Sequence, residues 1–326
     1  TQIALDCMNA GMPVGMEVGG AHSLEECFEL VRTYERTKSP IMLLENCCYG
    51  QEEMTILNMI KKGVFGEVVH CEGGYRHDLR DEVAMGHANR HYRLDNYSNR
   101  NGEIYPTHEL GPIAKLLNIH KGNRLVSLTS MASKAVGLHS WIAAHKSDDA
   151  DLMGRAFTQG DVVTTMIKCA HGETILLIHD TTLPRPYSRG LRIQGTKGAW
   201  MEDNHSLYIE GVSEPHTWEP TDKYRETYEH PLWKDYQAKG VRGGHDGMDY
   251  LVFRAFVESV KNGTGVPIDI YDAAAWMAVT CLSEESIALG GAPVAIPDFT
   301  GGRWIHGVNS YTGPYDLQAI PDIPGV

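Results

Sequence analysis

The sequence predicts an α/β unit on a parallel sheet, followed by a larger α+β unit on a mostly antiparallel one. Three observations carry this. Two short, uninterrupted apolar runs, 14–18 and 41–44, flank a helical segment, and strands apolar on both faces with a helix between them belong to a covered parallel sheet. From residue 67 to 210 the pattern turns to successive strands, some joined by glycine-rich turns such as Gly195-Thr196-Lys197-Gly198. Two long helical segments follow.

Taken in order, residues 3–10 read as a helix with Gly11 as its stop. Ser23-Leu24-Glu25-Glu26 is a capping box, and Cys27, Leu30, Val31 and Tyr34 then share one apolar face. The strand over 41–44 ends at Glu45-Asn46. Ligands bind parallel sheets at the carboxyl ends of strands, which marks Glu17, Val18, Glu45 and Asn46. A helix over 52–62 places Met54, Leu57 and Ile60 on its apolar side. A long strand over 67–78 leads into a polar segment over 79–102, rich in Arg, Asn and His and too long for a plain connection. Strands are expected over 125–131, 162–169, 174–181, 191–194 and 207–210, and helices over 246–261 and 271–289. The last helix carries Ala275, Trp276, Val279, Leu282 and Ile287 at helical spacing and reads as core.

A net charge of -13 argues against nucleic acid, whose phosphates would repel the chain, and against anionic membrane surfaces. No apolar run approaches the roughly 18 residues a membrane-spanning helix needs. The seven cysteines form no C-x-x-C pair and the sixteen histidines no H-E-x-x-H spacing, so neither a disulfide framework nor a metal site is expected. The chain opens at Thr1 inside an apparent helix, and an upstream segment is expected.

The most informative stretch is Tyr105-Pro106-Thr107-His108, running into Glu109-Leu110-Gly111-Pro112. Residues three apart on a helical turn share a face, so the phenol and the imidazole, both acid/base groups, can converge on one small molecule. The alternative is an ordinary helix start, with Thr107 as cap and Pro112 in the first turn. Tyr75 and His77 alternate about Arg76 on a strand and face one side, either toward a cleft or in cross-strand packing.

The order of elements resembles the second half of a Rossmann domain joined to the large-sheet domain of the glucose–fructose oxidoreductase/inositol dehydrogenase/MocA superfamily. The matching stretch is Ala10-Gly11-Met12-Pro13-Val14, Glu17-Val18-Gly19 and Leu24-Glu25-Glu26. The superfamily's Glu-Lys-Pro keeps its glutamate here, but Val18 replaces the lysine that supports hydride transfer. A narrower likeness is to glycoside hydrolase family 109, the NAD-dependent α-N-acetylgalactosaminidases. It rests on Leu44-Glu45-Asn46-Cys47-Cys48-Tyr49-Gly50, Tyr75-Arg76-His77-Asp78, Tyr105 to Pro112, Pro184-Arg185-Pro186-Tyr187-Ser188 and Gly243-Gly244-His245-Asp246-Gly247-Met248-Asp249. It implies residues 1–50 as the C-terminal half of a Rossmann-type parallel sheet domain. Residues 51–326 are then a substrate-binding α+β domain, a large mostly antiparallel open sheet with covering helices, and the helix near 271–290 packs back on the first part. No Gly-x-Gly-x-x-Gly turn is present.

The same resemblance implies a retaining glycosidase with NAD as cofactor and a terminal α-linked N-acetylgalactosaminide, or a related hexoside, as substrate. Its reaction is transient oxidation at C3, elimination at C1, water addition and re-reduction, unlike the two-carboxylate route. Tyr75, Tyr105 and His108 become the catalytic candidates. His77, Arg93 and Tyr187 join them in binding the sugar, and Glu17, Val18 and Asn46 bind NAD. Arg93 otherwise reads as a solvated loop charge, Tyr187 as a surface residue, Glu45 as a helix cap and Asp246 as an N-cap. The competing functions are an NAD(P)-dependent sugar oxidoreductase, disfavoured by Val18, and a sugar-binding module without catalysis. A homo-oligomer and bacterial export are implied by resemblance alone.

Overall fold

The computed structural model describes residues 1–308 and 311–321. Its first elements are α1 (Gln2–Asn9), β1 (Val14–Met16), α2 (Leu24–Thr37) and β2 (Ile41–Leu43). β1 and β2 pair in parallel, Val14 opposite Ile41 and Met16 opposite Leu43. α2 starts where Ser23 Oγ accepts the Glu26 N–H at 3.2 Å, while the Glu26 carboxylate takes the His22 N–H at 2.6 Å. β2 is wholly buried, as a strand covered on both faces must be. After it the chain makes a single 3₁₀ turn, Asn46–Tyr49, and enters α3 (Gln51–Lys61).

β3 (Val68–Arg76) opens the larger sheet. The segment expected to be a polar loop over 79–102 instead holds two short helices, α4 (Arg80–Ala84) and α5 (Arg93–Asn99). Their buried Val83, Leu94 and Tyr97 form a small apolar cluster with Tyr75, Leu138 and Ile142. Val83, Ala84, Leu94 and Tyr97, four apolar anchors among many polar residues, are too sparse to show as helical periodicity.

α6 (Thr107–Leu116) follows, then β4 (Leu125–Ala132), α7 (Gly137–His145), α8 (Ala150–Gly154), β5 (Val162–Cys169), β6 (Thr174–Asp180), β7 (Arg192–Gly195), β8 (Gly198–Met201) and β9 (Ser206–Ile209). The two-residue strand β10 (Glu219–Pro220) precedes α9 (Asp222–Tyr228), α10 (Pro231–Ala238), α11 (Met248–Asn262), α12 (Ile270–Ala288) and β11 (Val294–Ala295). The sheet has nine strands in the order β10-β9-β8-β7-β3-β6-β5-β4-β11. Every neighbouring pair is antiparallel except β3 with β6. The mixed architecture expected from the sequence thus stands, with β8 and the two-residue strands β10 and β11 added. β8 was hidden because only four residues follow a turn that itself contains both strand ends. β5 alternates between covered and open positions along its length, the signature of a sheet with one buried face.

α12 contacts α2 and β2 on one side and β4 on the other, so it packs against both sheets. Asp269 caps it in a capping box with Asp272. Ala275, Trp276, Val279 and Leu282 are buried as expected, and Ile287 is half-buried. Lys115 of α6 is buried and ion-paired with Asp272, which also lies 3.2 Å from His120 Nδ1. This pair pins α6 to α12 and fixes the helix from which His108 projects.

Candidate functional site

α6 begins differently from the sequence expectation. Pro106 stands at the N-cap position and Thr107 is the first helical residue, so the threonine does not cap the helix. Its side chain instead stands by Glu45, whose pKa it helps to lower. Pro112 lies inside the helix, in its second turn, where it cannot give the N–H that would bond the His108 carbonyl. Gly111 explains how closely the helix approaches the turn after β2. A Cβ there would come within 3.0 Å of Cys48 Sγ and Glu45 Cγ, and within 3.1 Å of Trp276. Any larger residue would hold His108 away from Glu45.

With that approach made, His108 Nδ1 donates to Glu45 Oε1 at 2.7 Å, and the Cys47 N–H reaches the same oxygen at 3.1 Å. Glu45 therefore caps the turn and binds the histidine at once. Burial alone would neutralise both partners. On the histidine, burial pulls the pKa down, but the Glu45 charge and the hydrogen bonds to Cys47 and Glu45 outweigh it and hold His108 well above its ordinary value. On the glutamate, burial works the other way, but the His108 charge and the hydrogen bonds prevail and lower its pKa. The two directions agree on an imidazolium–carboxylate pair. Glu45, Cys47 and His108 also bring one ligand atom each within 4.8 Å, a grouping no spacing rule revealed.

Around His108 the other sequence candidates gather. The Tyr105 ring lies 5.0 Å from it at 83°, and the Tyr75 ring 5.7 Å away. Tyr75 and Tyr105 are 4.4 Å apart, centre to centre. His77, just past the end of β3, sets its ring 5.9 Å from Tyr75 and 5.0 Å from Tyr187, and its Nδ1 is buried without a partner. Arg93 is the first residue of α5, not a loop charge. Its side chain is only 12% exposed and pairs with Glu82, and its guanidinium carbon lies 5.4 Å from the centre of the Tyr105 ring. Tyr187 is half exposed. Burial raises the phenol pKa of Tyr75, and the Arg93 and His108 charges only partly offset it. Burial likewise raises Tyr105, with Tyr75 and Glu45 adding to the effect. Both phenols are therefore protonated.

The cofactor candidates are less concentrated. Asn46 Nδ2 donates to Asp249 Oδ1 at 2.7 Å. Glu17 and Val18 stand apart from the rings, Glu17 exposed and accepting only the Val18 N–H at 3.1 Å. The chain just beyond them forms a narrow cleft, with Gly19 and His22 facing Tyr105, Pro106 and Thr107. Glu45 Oε2 is buried with no partner. An open carboxyl end, an amide and an unspent acceptor suit the nicotinamide riboside half of a dinucleotide. The sequence has no glycine triplet to cradle its pyrophosphate.

Sequence reasoning passed over a layer beneath the rings. Glu103 and Glu109 are fully buried, and none of their four oxygens accepts a hydrogen bond from another residue. Burial, then the Glu103 charge, pushes Glu109 well up in pKa. Glu103 Oε1 lies 3.4 Å from His179 Nδ1, and the His179 ring stacks under Tyr75 at 6.1 Å. Glu109 follows His108 directly, and that adjacency was the only available signal.

Comparison with known proteins bears on the fold and the family. The solved structures most alike include an inositol dehydrogenase homolog from Azotobacter vinelandii complexed with NAD+, with a TM-score of 0.65 at 18% identity, covering 90% of this chain and 75% of that one. A levoglucosan dehydrogenase in complex with NADH and levoglucosan also scores 0.65, at 16% identity over 91% of this chain and 77% of that one. At such identities the likeness is one of fold. Among curated relatives, an alpha-N-acetylgalactosaminidase of Tannerella forsythia is 46% identical over 323 residues, 93% of this chain and 69% of the relative. A glycosyl hydrolase family 109 protein of Parabacteroides distasonis is 43% identical over 324 residues, 93% of this chain and 70% of the relative. The sequence profile of the glycosyl hydrolase 109 C-terminal domain matches residues 49–306, and with these relatives it establishes that the chain belongs to glycoside hydrolase family 109.

Proposed function

We propose that this chain carries the site of an NAD-dependent retaining glycosidase acting on terminal α-linked N-acetylgalactosamine. The observation that carries the reading is the meeting of Tyr75, Tyr105 and a cationic His108 beside the carboxyl ends of a parallel strand pair. Glu17, Val18 and Asn46 would hold the nicotinamide end there. The cofactor, when bound, supplies a reversible hydride acceptor for the sugar C3 and a positive charge near the phenols.

The chain's own residues supply position and proton movement. His108 has Nδ1 committed to Glu45, so Nε2–H is its working edge. An imidazolium can donate a proton and cannot accept one, which assigns His108 to the departing glycosidic oxygen. Tyr75 is the group to take the proton from C2. Its phenol is protonated at rest. A positive charge beside it before C3 is oxidised would lower its pKa and release that proton to solvent. The loss of the charge on hydride transfer would leave a phenolate basic enough to take the C2 proton. Tyr105 donates a hydrogen bond to the sugar, Arg93 binds the acetamido oxygen as a fixed cationic donor, and His77 and Tyr187 close the pocket wall.

The test uses the full-length protein with p-nitrophenyl α-N-acetylgalactosaminide, with and without added NAD, following nitrophenol and NADH absorbance together. The expected result is nitrophenol release without net NADH, lowered about 10²–10⁴-fold by His108→Ala or Tyr75→Phe. Steady NADH accumulation without nitrophenol would instead make the protein a sugar dehydrogenase.

A further inference from the structure

Tyr75, the group assigned to the C2 proton, makes no side-chain hydrogen bond among the described residues. Ring packing therefore sets its place. Tyr105, His77 and His108 belong to the site itself, while the fourth ring, His179, lies beneath. His179 stands opposite Tyr75 in the parallel pairing of β6 with β3, and the two rings are 29° from parallel at 6.1 Å. Where the phenol stands thus depends on how the imidazole below it is held.

Hydrogen counting shows which way that imidazole faces. His179 Nε2 meets Thr181 Oγ1 at 3.2 Å and Tyr97 Oη at 3.4 Å, and the two hydroxyls also bond each other. They bring two hydrogens: one lies between them and the other is left for Nε2 to accept. The opposite arrangement would strand a buried hydroxyl hydrogen and set a bare nitrogen lone pair against a carboxylate. The ring hydrogen is accordingly assigned to Nδ1, which faces Glu103 Oε1 at 3.4 Å. Both atoms lack a hydrogen bond, but a turn of the carboxylate about its broad terminal torsion closes one.

Glu103 is itself firmly placed. Its N–H donates to Ser283 Oγ of α12 at 2.8 Å. Gln159 clamps the preceding residue, accepting the Gly102 N–H at 3.1 Å and donating to the Gly102 carbonyl at 2.9 Å. A Cβ at Gly102 would come within 2.6 Å of Glu284 Cγ, so glycine lets this stretch lie against α12. The Glu103 side chain is fully buried, and its influence on a bound sugar has to pass through His179. From this we infer that Glu103 is a positioning residue: it holds the His179 ring, and through that ring sets where the Tyr75 phenol meets C2. The inference rests on the function proposed above, in which Tyr75 takes the C2 proton.

The experiment compares the full-length protein with its Glu103→Met and Glu103→Gln variants on p-nitrophenyl α-N-acetylgalactosaminide. Methionine fills the space without an acceptor, whereas glutamine keeps an acceptor oxygen and loses only the charge. Thermal melts establish that each variant is folded at the assay temperature. Glu103→Asp, which draws the carboxylate back by one methylene, replaces the methionine variant if that one does not fold. Glu103→Met should lower kcat about 10–10²-fold without raising KM, and Glu103→Gln should restore most of the loss. C3 is oxidised before the C2 proton leaves. The fraction of bound cofactor present as NADH during turnover should therefore be at least as high in Glu103→Met as in the unaltered protein. An unchanged kcat, no recovery with glutamine, or an NADH fraction falling in step with kcat, the mark of a merely structural residue, would each overturn the positioning role and leave the glycosidase reading in place. The unaltered protein working in D2O should place deuterium at C2 of the released sugar. Cleavage without that deuterium would remove the C2 step, and this inference with it.

Discussion

His108 carries a proton because its Nδ1 side faces the buried Glu45 carboxylate, whose charge and hydrogen bond hold the imidazolium. A histidine raised in the fold gains stability from its partner that is complete below its unfolded pKa and is lost as pH rises through the folded one. Glu45, lowered in the fold, contributes above its unfolded pKa and loses that contribution as pH falls. The pair is therefore at full strength between about pH 4.5 and 6.5, the ordinary values of the two groups, and weakens beyond each side. If His108 works as an acid, activity falls on the alkaline side as its raised pKa is passed. Glu45→Gln removes the facing charge, so the alkaline limb of kcat/KM should move to lower pH, and an unmoved limb would exclude the acid role. Tyr105 and His108 were legible from their spacing, and Tyr75 and His77 from strand alternation. Glu45 was legible only as a strand end, because its bond to His108 spans a long loop of chain. Glu103 and His179 were not legible at all, since a buried glutamate and a surface one look alike in sequence.

At the level of elements, α6 is held at both ends by buried charge: His108 to Glu45 near its start, Lys115 to Asp272 near its finish. Breaking a buried pair from one side costs about 3–5 kcal/mol. Lys115→Met should thus lower stability by about 3 kcal/mol in denaturant melts, and Lys115→Met with Asp272→Leu should recover much of the loss. Additive losses would show that the two side chains are not coupled. Elements with a strong period or a capping box were readable from sequence, α2 and β5 among them. α4, α5, α7 and α8 were not, because each is shorter than about three turns, where propensity decides little and tertiary packing decides most. α7 illustrates this: its first N–H groups are capped by Asp161, with Gly137 N–H to Asp161 Oδ1 at 2.9 Å, a partner no local pattern predicts.

Across the whole molecule, the site lies where a two-stranded parallel sheet meets a nine-stranded one. The smaller sheet offers only strand ends to a dinucleotide, and the chain has no glycine-rich turn for its phosphates. Residues 1–326 alone are accordingly expected to bind NAD weakly. Titrating NAD against tryptophan fluorescence should give no saturation in the micromolar range, and a tight saturable response would mean that phosphate holders exist within this chain.

β3 pairs with β6 on one edge and β7 on the other, and neither neighbour adjoins it in sequence. A ribosome releases Tyr75 long before His179, the residue opposite it. Until β6 and β7 have emerged, β3 has two bare edges, the state in which strands recruit the wrong partner. Non-local pairing of this kind also folds slowly. The strand that bears the first of the site's tyrosines is thus made early and seated late, and chain release has to outrun aggregation before any sugar can be bound.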